Sequence, residues 1–411
     1  MKLQSFRSPW IYSATVFAIL IGHFIVDTYS SMVAPLIGVI ETEFSMDPKW
    51  SAILLGIGSM ISGLSQPVFA WISDRTGSRA FGAIGIVLGA LGIGLIGFSS
   101  SVSMVFAMFA VGMVGIGMFH PIASARIGAI AGNQRGFALS LFFVFGMGGF
   151  FTGSLVGPNL VTQTGTLESL WQLIIPGLVI AVFFQATINR KTETGKSKAK
   201  KANHSLADYN WLSIYMLYFS AVFRFFVNMA LVYLIVRWVE HYVGIWNPEF
   251  DEKQVATTAS PIAGVAAAVM FVGQGVGGLL AGTVIPHGRE RIPLIVTPII
   301  FAPFIMLLAT CPPGVLGYSY CFAAGIGFAA MTPITISVGQ QLMPSHTRLA
   351  SGITLGGAWV FAGLGPSFSE WLLNSTNLAT AFVVTGALLT LAGFCAIGVR
   401  AVAGSKDISH R

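Results

Sequence analysis

The chain is predicted to be an all-α integral membrane protein with twelve transmembrane helices in two pseudo-symmetric six-helix halves. Three observations carry this expectation. Charged residues make up 9% of the 411 positions and hydrophobic ones 55%, with a mean hydropathy of +0.78, whereas a soluble domain carries roughly 25% charged residues. The sequence divides into twelve apolar runs, each long enough for a helix of about 20 residues to cross the hydrocarbon core. Matching motifs recur at corresponding runs on either side of a basic, polar stretch.

The first six runs lie near 10–38, 49–73, 80–99, 102–131, 135–163 and 169–189. The first exceeds the apolar core of a signal peptide, about 7–15 residues. It also contains Asp27 and lacks a small-residue cleavage site after it, so it is expected to remain in the mature protein. Glycine (48) and proline (18) are frequent inside the runs. Lipid-embedded helices tolerate them because neighbouring helices re-satisfy freed backbone groups and pack closely over small residues. After the sixth run, "NRKTETGKSKAKKANH" (189–204) is polar and basic and reads as a flexible cytoplasmic linker. The organisation that follows is an N-terminal half over 1–189, a linker over 190–208 and a C-terminal half over 209–411. That second half holds runs near 209–243, 257–284, 291–311, 313–342, 346–375 and 377–402. Cys311, Cys321 and Cys395 are scattered in or beside late runs without metal-type spacing, so no disulfide, metal or cofactor is expected.

Orientation follows from Lys and Arg, which concentrate in cytoplasmic loops. One set of loops carries Arg75, Arg79, Arg135, Arg289, Arg291 and Arg348, and the same side receives Lys2, Arg7, Arg400 and Lys406. The opposite set carries Glu41, Glu43, Asp47, Glu168, Glu249, Asp251 and Glu252, with Lys49 and Lys253 as its basic members. Both termini are therefore expected in the cytoplasm, with the chain in the cell (inner) membrane. The net charge of +7 reflects this topology and attraction to anionic lipid, and no nucleic-acid partner is implied.

Laying Trp211 on Trp10 aligns "RFFVN" (224–228) with "HFIVD" (23–27), so that Arg224 faces His23 and Asn228 faces Asp27. Arg135 opens a run that reaches Gly157 and Pro158, and Arg348 opens one that reaches Gly365 and Pro366. Gly115-Ile116-Gly117 precedes Pro121 as Gly325-Ile326-Gly327 precedes Pro333. Three matches in the same order point to a duplicated six-helix unit.

A charge at the centre of a membrane helix costs on the order of 2.5–3.5 kcal/mol, and such residues persist where they pair, line water or handle substrate. With a rise of about 1.5 Å per residue, Asp27 falls near the bilayer middle, and His23 lies one turn away on the same face. Arg224 and Asn228 stand at similar depth in the seventh run, and His120 lies deep in the fourth beside Pro121. Convergence of these five groups on a central cavity would give Asp27, His23 and His120 a proton-coupling role and Arg224, Asn228 and His120 a substrate-binding one. The guanidinium offers a fork for an anionic group. Plain structural readings stand beside these. Asp27 with Arg224 could be a static ion pair, His120 could donate to a backbone carbonyl, and Asn228 could link two helices. Arg126, Arg237 and Glu370, near helix ends, are expected to anchor at the interface by snorkelling.

"SDRTGSR" (73–79) resembles the loop signature of the major facilitator superfamily through Asp74, Arg75 and Gly77, with Ala70 and Ser78 departing from it. In the second copy Gly288 remains and Ile285 replaces the acid. The resemblance implies the major facilitator fold, and a gating role for Asp74, Arg75 and Gly77, with Arg126 as the partner of Asp74. Within the superfamily the chain looks most like the fosmidomycin-resistance group of exporters. The features are His23 with Asp27, "FHP" with Ser124, "RGFALS" (135–140) and Arg224 in the seventh helix. "GMGGFFTGSLVGP" (146–158) is similar to the antiporter signature of drug/proton exchangers, which implies a gating role for Gly157 and Pro158. Ile122 stands where the family carries an acid, and Arg126 lies one position later than the family's arginine.

The expected function is a proton-coupled secondary transporter that exports a small anionic or amphiphilic compound in exchange for protons. An importer of an anionic nutrient or metal chelate is the alternative. No Walker loop, HExxH or GxSxG is present, so no enzyme is expected, and Ser124 near His120 is better read as bonding its own helix. A receptor without transport would not require the internal repeat. Membrane lipids, protons and a small-molecule substrate are the expected partners of a monomer.

Overall fold

The computed structural model describes residue 10 and residues 13–188, 209–285, 289–329, 332–344, 350 and 352–400. The linker 190–208, Lys2, Arg7, Gly288, Arg348 and Lys406 lie outside the described residues. Every element within them is helical, and nine helices are long and apolar enough to cross a membrane.

The first run folds as α1 (Ala14–Met32) and α2 (Ile37–Phe44), separated by a 3-10 turn over Ala34–Leu36. Pro35 lacks an N–H, which interrupts the α ladder there. Helix α3 (Pro48–Thr76) starts with Pro48 at its first position and Asp47 as its cap, the carboxylate accepting the Lys49 N–H at 2.9 Å. It stops at Gly77, which takes φ +60° and donates its N–H to the Ser73 carbonyl at 2.9 Å. The glycine of the 73–79 motif is thus the left-handed residue that ends the helix. Then follow α4 (Ala80–Gly94), α5 (Val102–Ala131), α6 (Arg135–Thr164) and α7 (Ile174–Thr187). The second half contains α8 (Trp211–Trp246), α9 (Glu252–Val284) and α10 (Arg291–Leu307). It continues with α11 (Val315–Ala329), α12 (Thr332–Leu342), α13 (Ala358–Ala362), α14 (Leu364–Ser375) and α15 (Leu378–Ile397).

Three of the twelve expected runs are not among the nine long spans. The third gives only α4, 15 residues long, before a 3-10 turn over Ile96–Phe98. The tenth divides into α11 and α12, with Pro333 in the first turn of the second piece. The eleventh is a π-turn over Gly352–Gly357 followed by α13 and α14, a segmentation that Gly356, Gly357, Gly363 and Gly365 favour by loosening the backbone.

Helix α1 packs on α6 and α7, α3 on α5, and α4 on α5 and α7. In the second half α8 packs on α13, α14 and α15, α9 on α11, and α10 on α11 and α15. The two sets meet where α6 crosses α9 and where α3 crosses α13 and α14. At the second crossing Gly56 and Gly363 bring two backbones together, and a methyl group on either would strike the other's carbonyl oxygen. Cross-half polar contacts gather at the end of the bundle that carries Glu41. They include Lys253 to Glu43 at 3.3 Å and the Tyr233 hydroxyl to the Pro48 carbonyl at 3.5 Å.

Candidate functional site

Three of the five intramembrane polar residues come together. On α1 the i, i+4 spacing sets His23 Nε2 3.1 Å from Asp27 Oδ2, and His120 of α5 brings its Nε2 to 3.1 Å from Oδ1. Asp27 is 2% exposed and His23 5%. The other nitrogen of each ring meets a backbone carbonyl. His23 Nδ1 lies 2.7 Å from the Phe142 oxygen, and His120 Nδ1 lies 2.7 Å from the Ile116 oxygen. A carbonyl only accepts, so both Nδ1 atoms carry hydrogen, and a neutral ring would then turn an Nε2 lone pair toward the carboxylate. Each Nε2 needs its own proton to donate to Asp27. The cluster therefore offers two imidazole positions for exchangeable protons around one carboxylate, with each ring fixed by its carbonyl.

Helix α6 supplies the space for this arrangement. The Phe142 ring stacks on His23 with centroids 3.6 Å apart. One turn on, a methyl group at Gly146 would collide with the His23 ring at 2.5 Å, and one at Gly149 with the Phe24 carbonyl oxygen. The glycine-rich "GMGG" thus lets α1 and α6 approach closely enough to bury the three polar groups. His23, Asp27 and His120 set one ligand atom each within 4.8 Å of one another. Among the described residues no further His, Cys, Asp or Glu joins them, so the four-ligand shell of a structural zinc site is absent.

Arg224 lies apart from this cluster. It is 1% exposed, its Nη1 donates to Thr335 Oγ1 at 3.0 Å, and its Nε and Nη2 have no hydrogen-bond partner among the described residues. The guanidinium carbon stands 5.0 Å from the Phe225 ring centroid, and Phe225 packs on Trp359 at 4.8 Å. No ion pair joins it to Asp27, whose oxygens are taken by the two histidines. The static-pair reading of Asp27 with Arg224 therefore does not hold in this conformation, and no hydrogen bond or ion pair joins Arg224 to His23, Asp27 or His120. Asn228 is buried one turn along α8 from Arg224. Thr335 was not singled out by sequence reasoning. Its only signal is a hydroxyl in an apolar run, which membrane helices usually satisfy on their own backbone.

The residues expected to gate lie largely within helices, with Asp74 and Arg75 in the last turn of α3, at the opposite end of that helix from Pro48. Asp74 and Arg75 are exposed, Arg75 stacks over Trp71 at 4.0 Å, and Arg126 is partly buried in α5. Gly157 abuts Met32 of α1, and Pro158 lies against Gly264 of α9, so this pair sits where α6 meets both halves. Arg237 and Glu370 differ from the expected interfacial anchors. Arg237 is only 13% exposed in its side chain and bonds Glu41 and Glu240, while Glu370 is 8% exposed and accepts the Tyr233 hydroxyl at 2.6 Å. Glu41 is likewise a residue of α2 rather than of a loop. Carboxylates within reach remove the reason for the arginine to snorkel.

Several known proteins are similar to this chain in sequence or in fold. The Fosmidomycin resistance protein of Escherichia coli (strain K12) is 22% identical over 386 residues, covering 92% of this chain and 91% of its own. An uncharacterized MFS-type transporter, YfnC, of Bacillus subtilis (strain 168) is 22% identical over 397 residues, covering 95% and 94%. Among solved structures, a bacterial homolog of the human lysosomal transporter Spinster, inward-facing and unoccupied, aligns with a TM-score of 0.69 at 16% identity over 96% of this chain and 98% of that one. A D-xylose-proton symporter aligns with a TM-score of 0.70 at 12% identity over 93% and 96%. At these identities the structural likeness is one of fold. The family model described as Major Facilitator Superfamily matches residues 19–354, and this chain, a multi-pass membrane protein of transport fold and not an enzyme, belongs to that superfamily.

Proposed function

We propose that the protein is a proton-coupled exporter that exchanges a small anionic or amphiphilic compound for protons by alternating access. The single observation that carries this is the pair of buried sites. A carboxylate fixed between two imidazoles in one half is suited to holding protons, and a guanidinium with two nitrogens unpartnered among the described residues in the other is suited to an anion. A fully buried Arg224 with unused N–H groups is costly unless a ligand completes it at some stage of the cycle. Phe225 and Trp359 beside it favour a ligand with an apolar body next to its charge.

In this reading His23, Asp27 and His120 carry the coupling protons, and Arg224 with Asn228 holds the substrate. Asp74, Arg75, Gly77 and Arg126 serve the cytoplasmic gate, and Gly157 with Pro158 gives α6 its freedom at the crossing. Twelve passes in two six-helix halves are supported by the recurrence of the same packing pairs, α1 on α6 in one half and α8 on α13 and α14 in the other. Basic loops support cytoplasmic termini in the cell membrane, with the Glu41 end outside, and the carrier works as a monomer. Similarity to the Fosmidomycin resistance protein supports reading the chain as one of that group of exporters and supplies a first probe. Import of an anionic nutrient or chelate with a proton is the second reading, since the same two sites serve either direction.

The test is proton movement in proteoliposomes that contain a pH-sensitive dye, on addition of fosmidomycin and then of other small phosphonates and carboxylates. The expected result is a substrate-dependent proton flux in the wild type that Asp27→Asn removes while binding survives. The sign of the flux separates exchange from co-transport. Substrate transport by Asp27→Asn at the wild-type rate, with proton flux intact, would sink the proposed coupling.

A further inference from the structure

Arg237 lies 13 residues beyond Arg224 on α8, about 20 Å along the helix axis at 1.5 Å per residue, and it is the centre of a second polar network. Its Nη1 donates to Glu41 Oε2 and to Glu240 Oε2, both at 2.8 Å. Its Nη2 donates to Glu41 Oε1 and, at 3.3 Å, to Ser51 Oγ. Nε and Nη2 also donate to the Tyr233 hydroxyl at 3.0 and 2.9 Å, and the Tyr233 hydroxyl donates to Glu370 Oε2 at 2.6 Å. Asn374 Nδ2 donates to Glu370 Oε1 at 3.0 Å. Glu41 and Ser51 belong to α2 and α3 of the first half, and all the other members belong to α8 and α14 of the second. The Lys253–Glu43 pair on the exposed rim also joins the halves.

The two carboxylates on this guanidinium are not equivalent. Glu41 reaches it across the interface between halves with a two-oxygen fork, which Ser51 supports by a further hydrogen bond. Glu240 reaches it from three residues away on the same helix, so that bond survives any separation of the halves. Gly38 of α2 presses on the Glu240 carboxylate, and a methyl group there would collide with Oε1. The shared Nη1 is therefore contested in the closed arrangement, with α2 carrying one acid and packed against the other.

Resting on the alternating-access reading above, we infer that Arg237 is the bolt of the outer gate and that it changes partners as the gate moves. It is forked to Glu41 when the gate is shut and held by Glu240 and Tyr233 when α2 draws away. An arginine stripped of its only buried partner would make opening expensive. A second acid on its own helix lowers that cost, because the open state keeps a partnered guanidinium. Two discrete pairings of one cation give the interface the bistability that a conformational cycle requires.

The prediction is a pair of effects of opposite sign. Ala34 lies in the 3-10 turn that packs against α8 and α9, is 9% exposed, and precedes Glu41 on the same strut. Ala34→Cys, in a chain whose Cys311, Cys321 and Cys395 are replaced by alanine, reports opening by its rate of reaction with a bulky hydrophilic maleimide in detergent. Glu41→Gln removes the closed-state partner and should raise that rate about tenfold, within the usual size of a coupling between states. Glu240→Gln removes the open-state partner and should lower it. Both substitutions nearly preserve shape, and a monodisperse elution profile checks that each variant is folded. Labelling that rises in both variants, or changes in neither, would overturn the partner exchange. The assay uses neither substrate nor proton flux, so a failed proton-flux experiment with opposite labelling signs would refute the coupling and leave the gate standing.

Discussion

Asp27 and Arg224 lie in the first helices of the two halves, four positions apart in the aligned motif, yet their surroundings differ in kind. Asp27 is saturated, with a histidine on each oxygen and each histidine locked by a carbonyl. Arg224 is unfinished, with one bond to Thr335 and two nitrogens that have no partner among the described residues. A closed set of donors and acceptors suits a group that exchanges protons without moving. An open set suits a group that meets something from outside the chain. Two helices at matching places in the sequence thus carry polar groups of different chemistry, one set complete and one open.

Replacing Asp27 by Asn breaks the saturated side of this comparison and should have the largest effect. Substrate-driven proton flux should fall by at least about 100-fold, the scale of losing a positioned proton-transfer group, as measured by dye-loaded proteoliposomes. Arg224→Ala breaks the unfinished side. Binding of the anionic probe should weaken by about 2–5 kcal/mol, since its charge loses a desolvated partner, and titration calorimetry would show it. Arg224→Lys should recover only part, because the ammonium keeps the charge and loses the fork. If both arginine variants bind as the wild type does, the open donors have another purpose.

Two smaller effects sharpen the contrast. Gly149→Ala inserts a methyl group against the Phe24 carbonyl beside Asp27, and overpacking of this kind costs about 1–3 kcal/mol. Its melting temperature in detergent should drop, whereas the same change at Gly244, which has open space around it, should leave melting within error. Thr335→Val removes the single bond of Arg224 and should cost about 1 kcal/mol of stability. Retention of probe binding in that variant would show that Thr335 only orients the guanidinium.

Much of this was legible in the residues because membranes impose local rules. Apolar length, glycine content and basic loops declare a helical membrane bundle, since every backbone group in lipid must be paired within its own segment. His23 with Asp27 was readable as well, because a helix turns an i, i+4 spacing into a contact. His120 was visible only as a polar residue deep in a run, and the reading that it bonds a carbonyl and the reading that it joins Asp27 both describe it, one nitrogen for each. The anchoring role expected for Arg237 and Glu370 failed for a physical reason. Position near a helix end says that a charge can reach water, but nothing about which neighbours come within reach first. The broken eleventh run was missed similarly, because apolar composition specifies membrane residence without specifying where glycines let the ladder slip.

By itself the sequence determined that this chain lives in a membrane, is built of helices and keeps costly polar groups within them. Those follow from solvation and from periodicity along one segment, which are properties of neighbours in the chain. Only the tertiary structure decided that Asp27 pairs with two histidines and not with Arg224, that Arg224 turns to Thr335, and that Arg237 ties Glu41 to the opposite half. Partner choice depends on which helix faces cross and how closely glycines let them approach, and residues tens or hundreds of positions apart meet only when the bundle closes.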